Sequence, residues 1–295
     1  MNQDGIEKMV NISHIDDDYI GPVYHYTGIG NIPKIFCKDT FCLRFTRCDD
    51  FEDKTEGVII EEFYKIAVSQ LFNEKIINYD EANRLLKIRI PDPFTMSVHG
   101  KVITEPYVMC FSKEKNSEYM YENYIKQEDK KGCCIGFYSH SFKHVNHSLS
   151  GYRLDSSSII YGDEAIEYIY VFLRAFIDLT GGIGTKDYNT FEGLISETLS
   201  KLKFFCKDSK YKDENEYRII LHYPIGVEES EEDHYCCVKI SVDNKHYLLW
   251  YPDHTSCSLE SFSVNSYVDE IDRNILKDYL FNISYSKIIE KRLNL

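Results

Sequence analysis

Glu214-Asn215-Glu216-Tyr217-Arg218-Ile219-Ile220 decides how this chain reads. Charged and apolar residues alternate, which predicts a strand, and strand side chains point to opposite faces in turn. On that spacing Glu214 and Glu216 project together, with Arg218 beside them. Two carboxylates and a guanidinium on one sheet face are costly to bury without partners. The stretch therefore marks the expected wall of an active cleft. Far upstream, Val23-Tyr24-His25-Tyr26-Thr27 reads as a second strand.

Between and beyond these two strands the pattern alternates without regular βαβ spacing. Ile32 to Phe36 has the apolar spacing of a short helix, and Thr40 to Thr46 reads as a strand. Gly57 to Ile88 predicts one or two long amphipathic helices, stopped by Pro91-Asp92-Pro93. Tyr107 to Ser112 is a strand, Ser117 to Ile125 a serine-capped helix, and Gly132 to Phe137 a small-residue central strand. Helices follow at Asp163 to Leu179 and Phe191 to Phe205, around a Gly181-Gly182-Ile183-Gly184 turn. Strands are expected over Tyr217 to Tyr223, Tyr235 to Val242 and Tyr247 to Tyr251, with a strand and a short helix in the tail. The expected fold is α+β: one domain over residues 21–295 after a loose acidic lead-in over 1–20.

With 295 residues and 43% hydrophobic content the chain can bury a sizeable core. A formal net charge of -14 disfavours nonspecific capture of nucleic acid or an anionic membrane. The 24 tyrosines read mostly as partly buried rings of a β-rich protein. No basic segment followed by an apolar run opens the sequence, and no stretch approaches eighteen apolar residues. The ten cysteines contain no Cys-x-x-Cys and read as reduced thiols, so a cytoplasmic, non-membrane protein is expected.

Several familiar motifs fail. Gly181-Gly182-Ile183-Gly184 follows a helix and lacks the dinucleotide-binding spacing, and no Walker A segment or Gly-x-Ser-x-Gly turn is present. His140, His144 and His147 are crowded in a polar stretch with no nearby carboxylate, which is poor zinc chemistry. Asp39 with Glu52-Asp53-Lys54 imitates a metal-dependent nuclease half-site, but on a stretch of loop composition rather than a strand. No metal is expected.

Three segments together resemble a widespread bacterial family filed as a domain of unknown function, number 2971 in that series. They are Tyr24-His25-Tyr26-Thr27 with Leu43-Arg44-Phe45 and Phe51 to Gly57; Cys110-Phe111-Ser112 with Met120-Tyr121, Tyr124 and Lys131 to Phe137; and Lys207, Tyr211, Glu214 and Glu216-Tyr217-Arg218. The resemblance covers about residues 22 to 222. Tyr121 and Tyr211 stand where the family has tryptophan, and Glu52-Asp53-Lys54 replaces its Asn-Asp-Pro.

The opening strand, short helix and second strand are similar to the start of histidine-type ADP-ribosyltransferases. That resemblance implies a split mixed or antiparallel sheet with helical insertions, and NAD as substrate. It also implies that His25, with Tyr26 and Thr27, orients NAD, that Tyr121 or Tyr124 packs on nicotinamide, and that Glu216, assisted by Glu214, is catalytic. Arg218 is expected to pair a phosphate or to neutralise the glutamates. A carboxylate holding the ribose hydroxyl stabilises the charge that builds as the nicotinamide bond breaks.

The expected activity is an ADP-ribosyltransferase with an unidentified acceptor, or an NAD glycohydrolase where water accepts. Anti-phage defence or toxin action is the family-level context. A non-catalytic module that binds a nucleotide or partner on the same scaffold is the alternative, and a metal-dependent nuclease ranks third. Against all three stands a bland reading of the residues. A histidine before a tyrosine is commonly a satisfied core residue, and Glu-x-Glu on a strand is commonly an exposed edge.

Overall fold

The computed structural model describes residues 19–37, 40–51, 53, 55–90, 96–98, 102–125, 129–143, 153–183, 188–224, 237–251, 259–282 and 293–294. Residues 1–18 of the lead-in expected over 1–20, the Pro91-Asp92-Pro93 stop, Asp39, Glu52, Lys54, His144, His147 and Gly184 lie outside them. The chain is α+β and divides into two compact units. One comprises Phe51–Ile103 and Ile159–Lys212, and the other Asp18–Asp50, Thr104–Ser158 and Asp213–Leu295.

The second unit is built on one antiparallel sheet. Its main strands are β1 (Pro22–Gly28), β2 (Leu43–Arg47), β3 (Val102–Ser112), β4 (Gly132–Tyr138), β5 (Arg153–Ser158), β6 (Glu216–Pro224), β7 (Cys237–Val242), β8 (Lys245–Trp250) and β9 (Leu259–Val264), beside which the two-residue Leu293–Asn294 runs parallel. The path runs β7-β8-β2-β3-β1-β4-β9, with β6 between β3 and β5. Two strands share one edge of β3. β1 pairs at its end (Tyr24 with Ser112), and β2 pairs further back (Thr46 with Val108, Arg47 with Tyr107). The other edge is filled by β6, from Glu216 opposite Ser112 to Pro224 opposite Thr104. The sheet is therefore split along β3, with Cys110 between the two partners of its shared edge.

Alternation assigns the two faces. Val23, Phe45, Tyr107, Met109, Phe111, Ile135, Phe137, Tyr217, Ile219, Leu248 and Phe262 belong to one buried cluster with Phe142, Leu276 and Leu280. At roughly 1.5–3 kcal/mol per fully buried large apolar side chain, that face supplies most of the unit's stabilisation. The opposite face carries Tyr24, Tyr26 and Cys134, covered by Met120 and flanked by Tyr119 and Tyr121 of the Glu118–Tyr124 helix. Ser117 caps this helix, its hydroxyl accepting from the Met120 amide at 3.4 Å.

The other unit is mainly helical. Ile60, Phe63, Tyr64, Ala67, Val68 and Leu71 form a stripe on the Ile60–Asn73 helix, packed with Ala165, Ile169, Phe172, Leu173 and Phe176 of the Gly162–Thr180 helix. Asn78 and Glu81 close a capping box at the start of the Tyr79–Leu85 helix. Gly181, at φ 69°, ends the longest helix in the left-handed conformation that glycine adopts freely.

Some expectations need correction. The acidic-aromatic strand begins at Glu216, because Ser209–Glu214 forms a 3₁₀ segment. The expected helix over Phe191 to Phe205 spans Tyr188–Leu202; its last three expected residues form a turn, followed by a two-residue strand, Cys206–Lys207. The predicted Thr40–Thr46 strand is two pieces, Thr40–Phe41 and Leu43–Arg47. In the tail the helix is not short: Glu270–Asn282 has 13 residues.

Candidate functional site

Asn215 breaks the alternation expected across Glu214 and Glu216. Its φ of 43° is left-handed, a conformation asparagine tolerates better than most residues. The two glutamates consequently do not share a strand face. Glu216 and Arg218 do. Arg218 Nε donates to Glu216 Oε1 at 2.7 Å and its Nη2 to Oε2 at 3.1 Å, a two-pronged pair with side chains only 1% and 3% exposed. Such geometry satisfies both buried charges at once. It also engages both oxygens of the carboxylate that was expected to face a ribose.

Glu214, buried at the end of the 3₁₀ segment, accepts from the Tyr124 hydroxyl at 2.5 Å. Two predicted site residues 90 positions apart thus meet.

His25 belongs to the other face. Tyr24, Ser112 and Glu216 stand directly across from one another on β1, β3 and β6, so the next residue of β1 points away. The His25 ring lies edge-on to Phe111 of the core, centroids 6.0 Å apart. It hydrogen-bonds the main chain at Cys110, at the split in the sheet. Burial, aided by the nearby Arg44 charge, lowers its pKa to about 4 despite that bond, so the ring is neutral at pH 7. Thr27 sits near the end of the same strand, its hydroxyl accepting from Asn31 Nδ2 at 3.0 Å.

Tyr26 and Tyr121 are in contact, rings edge to face at 5.0 Å. The Tyr26 hydroxyl donates to the Glu114 carbonyl at 2.5 Å and accepts from the Ser117 amide at 2.8 Å, fixing the turn before the Glu118–Tyr124 helix. Beyond Tyr121 opens a cleft of about 310 Å³, bordered also by Asn116, Glu118, Lys130, Asn265 and Tyr267. Tyr121 donates to Asn116 Oδ1 at 3.3 Å. Two of the bordering residues are left-handed without being glycine, Asn116 at φ 56° and Lys130 at φ 51°.

In the helical unit, Asp53, Glu56, Lys207 and Tyr211 form a second polar cluster. Lys207 pairs with Glu56 at 3.4 Å, both nearly buried, and its ammonium lies 4.5 Å from the Tyr211 ring centroid. Lys210 approaches the same ring at 4.8 Å. Asp53 is partly buried, which raises its pKa, but hydrogen bonds from Thr55 and Tyr211 outweigh this and hold it below the usual range.

Sequence reading missed Asn116, Asn265 and Tyr267, because the strand–helix turn and the loop after β9 that carry them have no motif. Among the described residues, no group of three or more His, Cys, Asp or Glu is placed to hold a metal ion, and no helix is long and apolar enough to cross a membrane. The chain matches no family model, no curated protein and no solved structure.

Proposed function

We propose that this protein binds a nucleotide at the Tyr121 cleft, NAD being the one its opening segment implies, without turning it over at Glu216. Kinship with family 2971 and a scaffold of the ADP-ribosyltransferase kind belong to the same proposal. The observation that carries it is Tyr121 itself. A residue at a family-pattern position, braced edge-on by Tyr26 of the opening strand, borders a cleft of ligand size together with a second tyrosine and two asparagines. Aromatic walls with a few polar groups suit a planar base and its amide or amino edge. The left-handed Asn116 and Lys130 are backbone outliers of the sort that cluster at ligand clamps. The doubly held, buried Glu216 favours binding over catalysis at that residue.

The test is a titration with NAD followed by melting temperature and by nicotinamide release. The wild type and Glu216→Gln should both show a ligand-induced rise, without product. Tyr121→Ala should show none. A wild type indifferent to NAD, AMP and nicotinamide mononucleotide would end the proposal.

A second reading, ADP-ribosyl transfer or NAD hydrolysis, is favoured by the Tyr124–Glu214 contact, which presents a buried carboxylate already oriented by a phenol. Nicotinamide release that is lost in Glu214→Gln, with the fold intact, selects it.

A further inference from the structure

The cleft beside Tyr121 is lined with acids as well as with rings. Glu118 and Glu122 both border it, four residues apart on the Glu118–Tyr124 helix and so on one side of that helix. Like charges at this spacing repel each other. Among the described residues neither carboxylate has an ion-pair partner. Lys130 is the one cation among the bordering residues. Its neighbour Lys131 is already neutralised, with its ammonium 2.9 Å from Asp269 and paired also with Asp272. Two acids thus face one base at the cleft of a chain whose formal net charge is -14, and the local field favours a positively charged guest.

The remaining walls narrow the choice of guest. Tyr121 is braced edge to face by Tyr26 at 5.0 Å, and Tyr267 borders the cleft as an exposed ring. The face of a phenol ring is negative and attracts an organic cation. Asn265 is fully engaged. Its Oδ1 accepts from the Gly132 amide at 3.2 Å, and its Nδ2 donates to the Lys130 carbonyl at 2.8 Å. Asn116 differs, because its Oδ1 accepts from the hydroxyls of Tyr121 at 3.3 Å and Ser263 at 2.5 Å, which leaves its Nδ2 to donate. A volume of about 310 Å³ is at the small end of ligand sites and suits one substituted ring rather than a whole dinucleotide.

Of the parts of a nicotinamide dinucleotide, one matches ring faces, carboxylates and amide donor together. The oxidised nicotinamide ring is planar, positively charged and carries a carboxamide oxygen that accepts. The reduced ring keeps the carboxamide without the charge, adenine has neither, and the phosphates are repelled by the two glutamates. We infer that the Tyr121 cleft selects its ligand by charge state, seating the oxidised nicotinamide ring against Tyr121 and Tyr267 beside Glu118 and Glu122 and discriminating against the reduced form. The inference rests on the nucleotide-binding reading and deepens it: the protein responds to oxidised dinucleotide rather than to the total pool. Lys130 is the bordering group suited to the adjoining phosphate.

The experiment compares two matched pairs of ligands on the full chain. Calorimetry measures NAD and NADH, and ligand-observed NMR measures 1-methylnicotinamide, a cation, and nicotinamide, its neutral counterpart. Wild type should bind the charged member of each pair about five- to tenfold more tightly. Glu118→Gln and Glu122→Gln should each reduce that ratio. The double variant should bring it close to one and leave NADH affinity unchanged. Added salt should shrink the wild-type ratio as well. Lys130→Ala should weaken both dinucleotides equally and neither fragment. Both glutamates are exposed, so the glutamine variants should melt like wild type.

Equal binding of NAD and NADH by wild type, or a preference that survives the double variant, overturns the charge selection. If Tyr121→Ala nonetheless abolishes dinucleotide binding, the nucleotide reading stands without it. 1-Methylnicotinamide held through the two glutamates, with neither dinucleotide bound, keeps the cation cleft and discards the nucleotide. Wild type that binds none of the four ligands overturns both.

Discussion

Tyr24 and Glu216 flank Ser112 from its two sides, one strand away in each direction. All three share a face, which commits His25 to the other. The imidazole and the carboxylate thus stand on the two strands that flank β3, but on opposite faces of the sheet.

Removing one half of the Glu216–Arg218 pair should be expensive. Glu216→Met leaves a buried guanidinium without its carboxylate, a loss of about 3–5 kcal/mol. Replacing both residues with methionine should cost far less than the two single changes summed. Urea denaturation of the four proteins in a double-mutant cycle measures this, and simple additivity would contradict the pairing.

His25 should make the protein acid-sensitive. Its folded pKa of about 4 lies below its ordinary value of 6.5, so the unfolded chain takes up a proton before the folded one does. The stabilisation is complete above pH 6.5 and is lost as the pH falls towards 4, at up to about 1.4 kcal/mol per pH unit. His25→Gln should flatten that window of the stability profile. An unchanged slope between pH 6.5 and 4.5 would show that the ring is not held neutral.

Tyr124→Phe takes a hydroxyl from the buried Glu214 carboxylate and should destabilise by about 1–3 kcal/mol. Chemical denaturation gives the value directly. A change within a few tenths would mean that the 2.5 Å contact carries little weight.

At Tyr121, aromatic replacements should divide cleanly from small ones. Tyr121→Phe loses the contact to Asn116 but keeps the ring against Tyr26, and Tyr121→Trp puts a larger ring in the same place. Both should retain nucleotide binding within about tenfold, whereas Tyr121→Ala removes the wall and the affinity with it. Equal binding by all three would place the ligand elsewhere.

Much of the sheet was legible because its rule is local. The small-residue run Gly132 to Phe137 reads as a central strand, and β4 lies between β1 and β9. Ser117 likewise announces the helix it caps. What failed is what depends on one residue departing from its element. Nothing in Glu-Asn-Glu betrays that Asn215 is left-handed, so Glu214 was assigned to a face it does not occupy. Nothing around Leu259 betrays the bulge that sets Leu259 opposite Phe137 and Ser261 opposite Gly136, with Glu260 as the extra residue. The pairing of His25 with Glu216 failed for a different reason. It needs the register of three strands drawn from distant parts of the chain, and composition carries no register.

The swivel at Asn215 reverses the usual ranking of importance within its tripeptide. The outer acids attract notice, yet the middle position is the one whose backbone admits few substitutes. Glycine or aspartate fits that torsion. Valine or isoleucine there would favour a strand that begins one residue early, bringing Glu214 into line with Glu216.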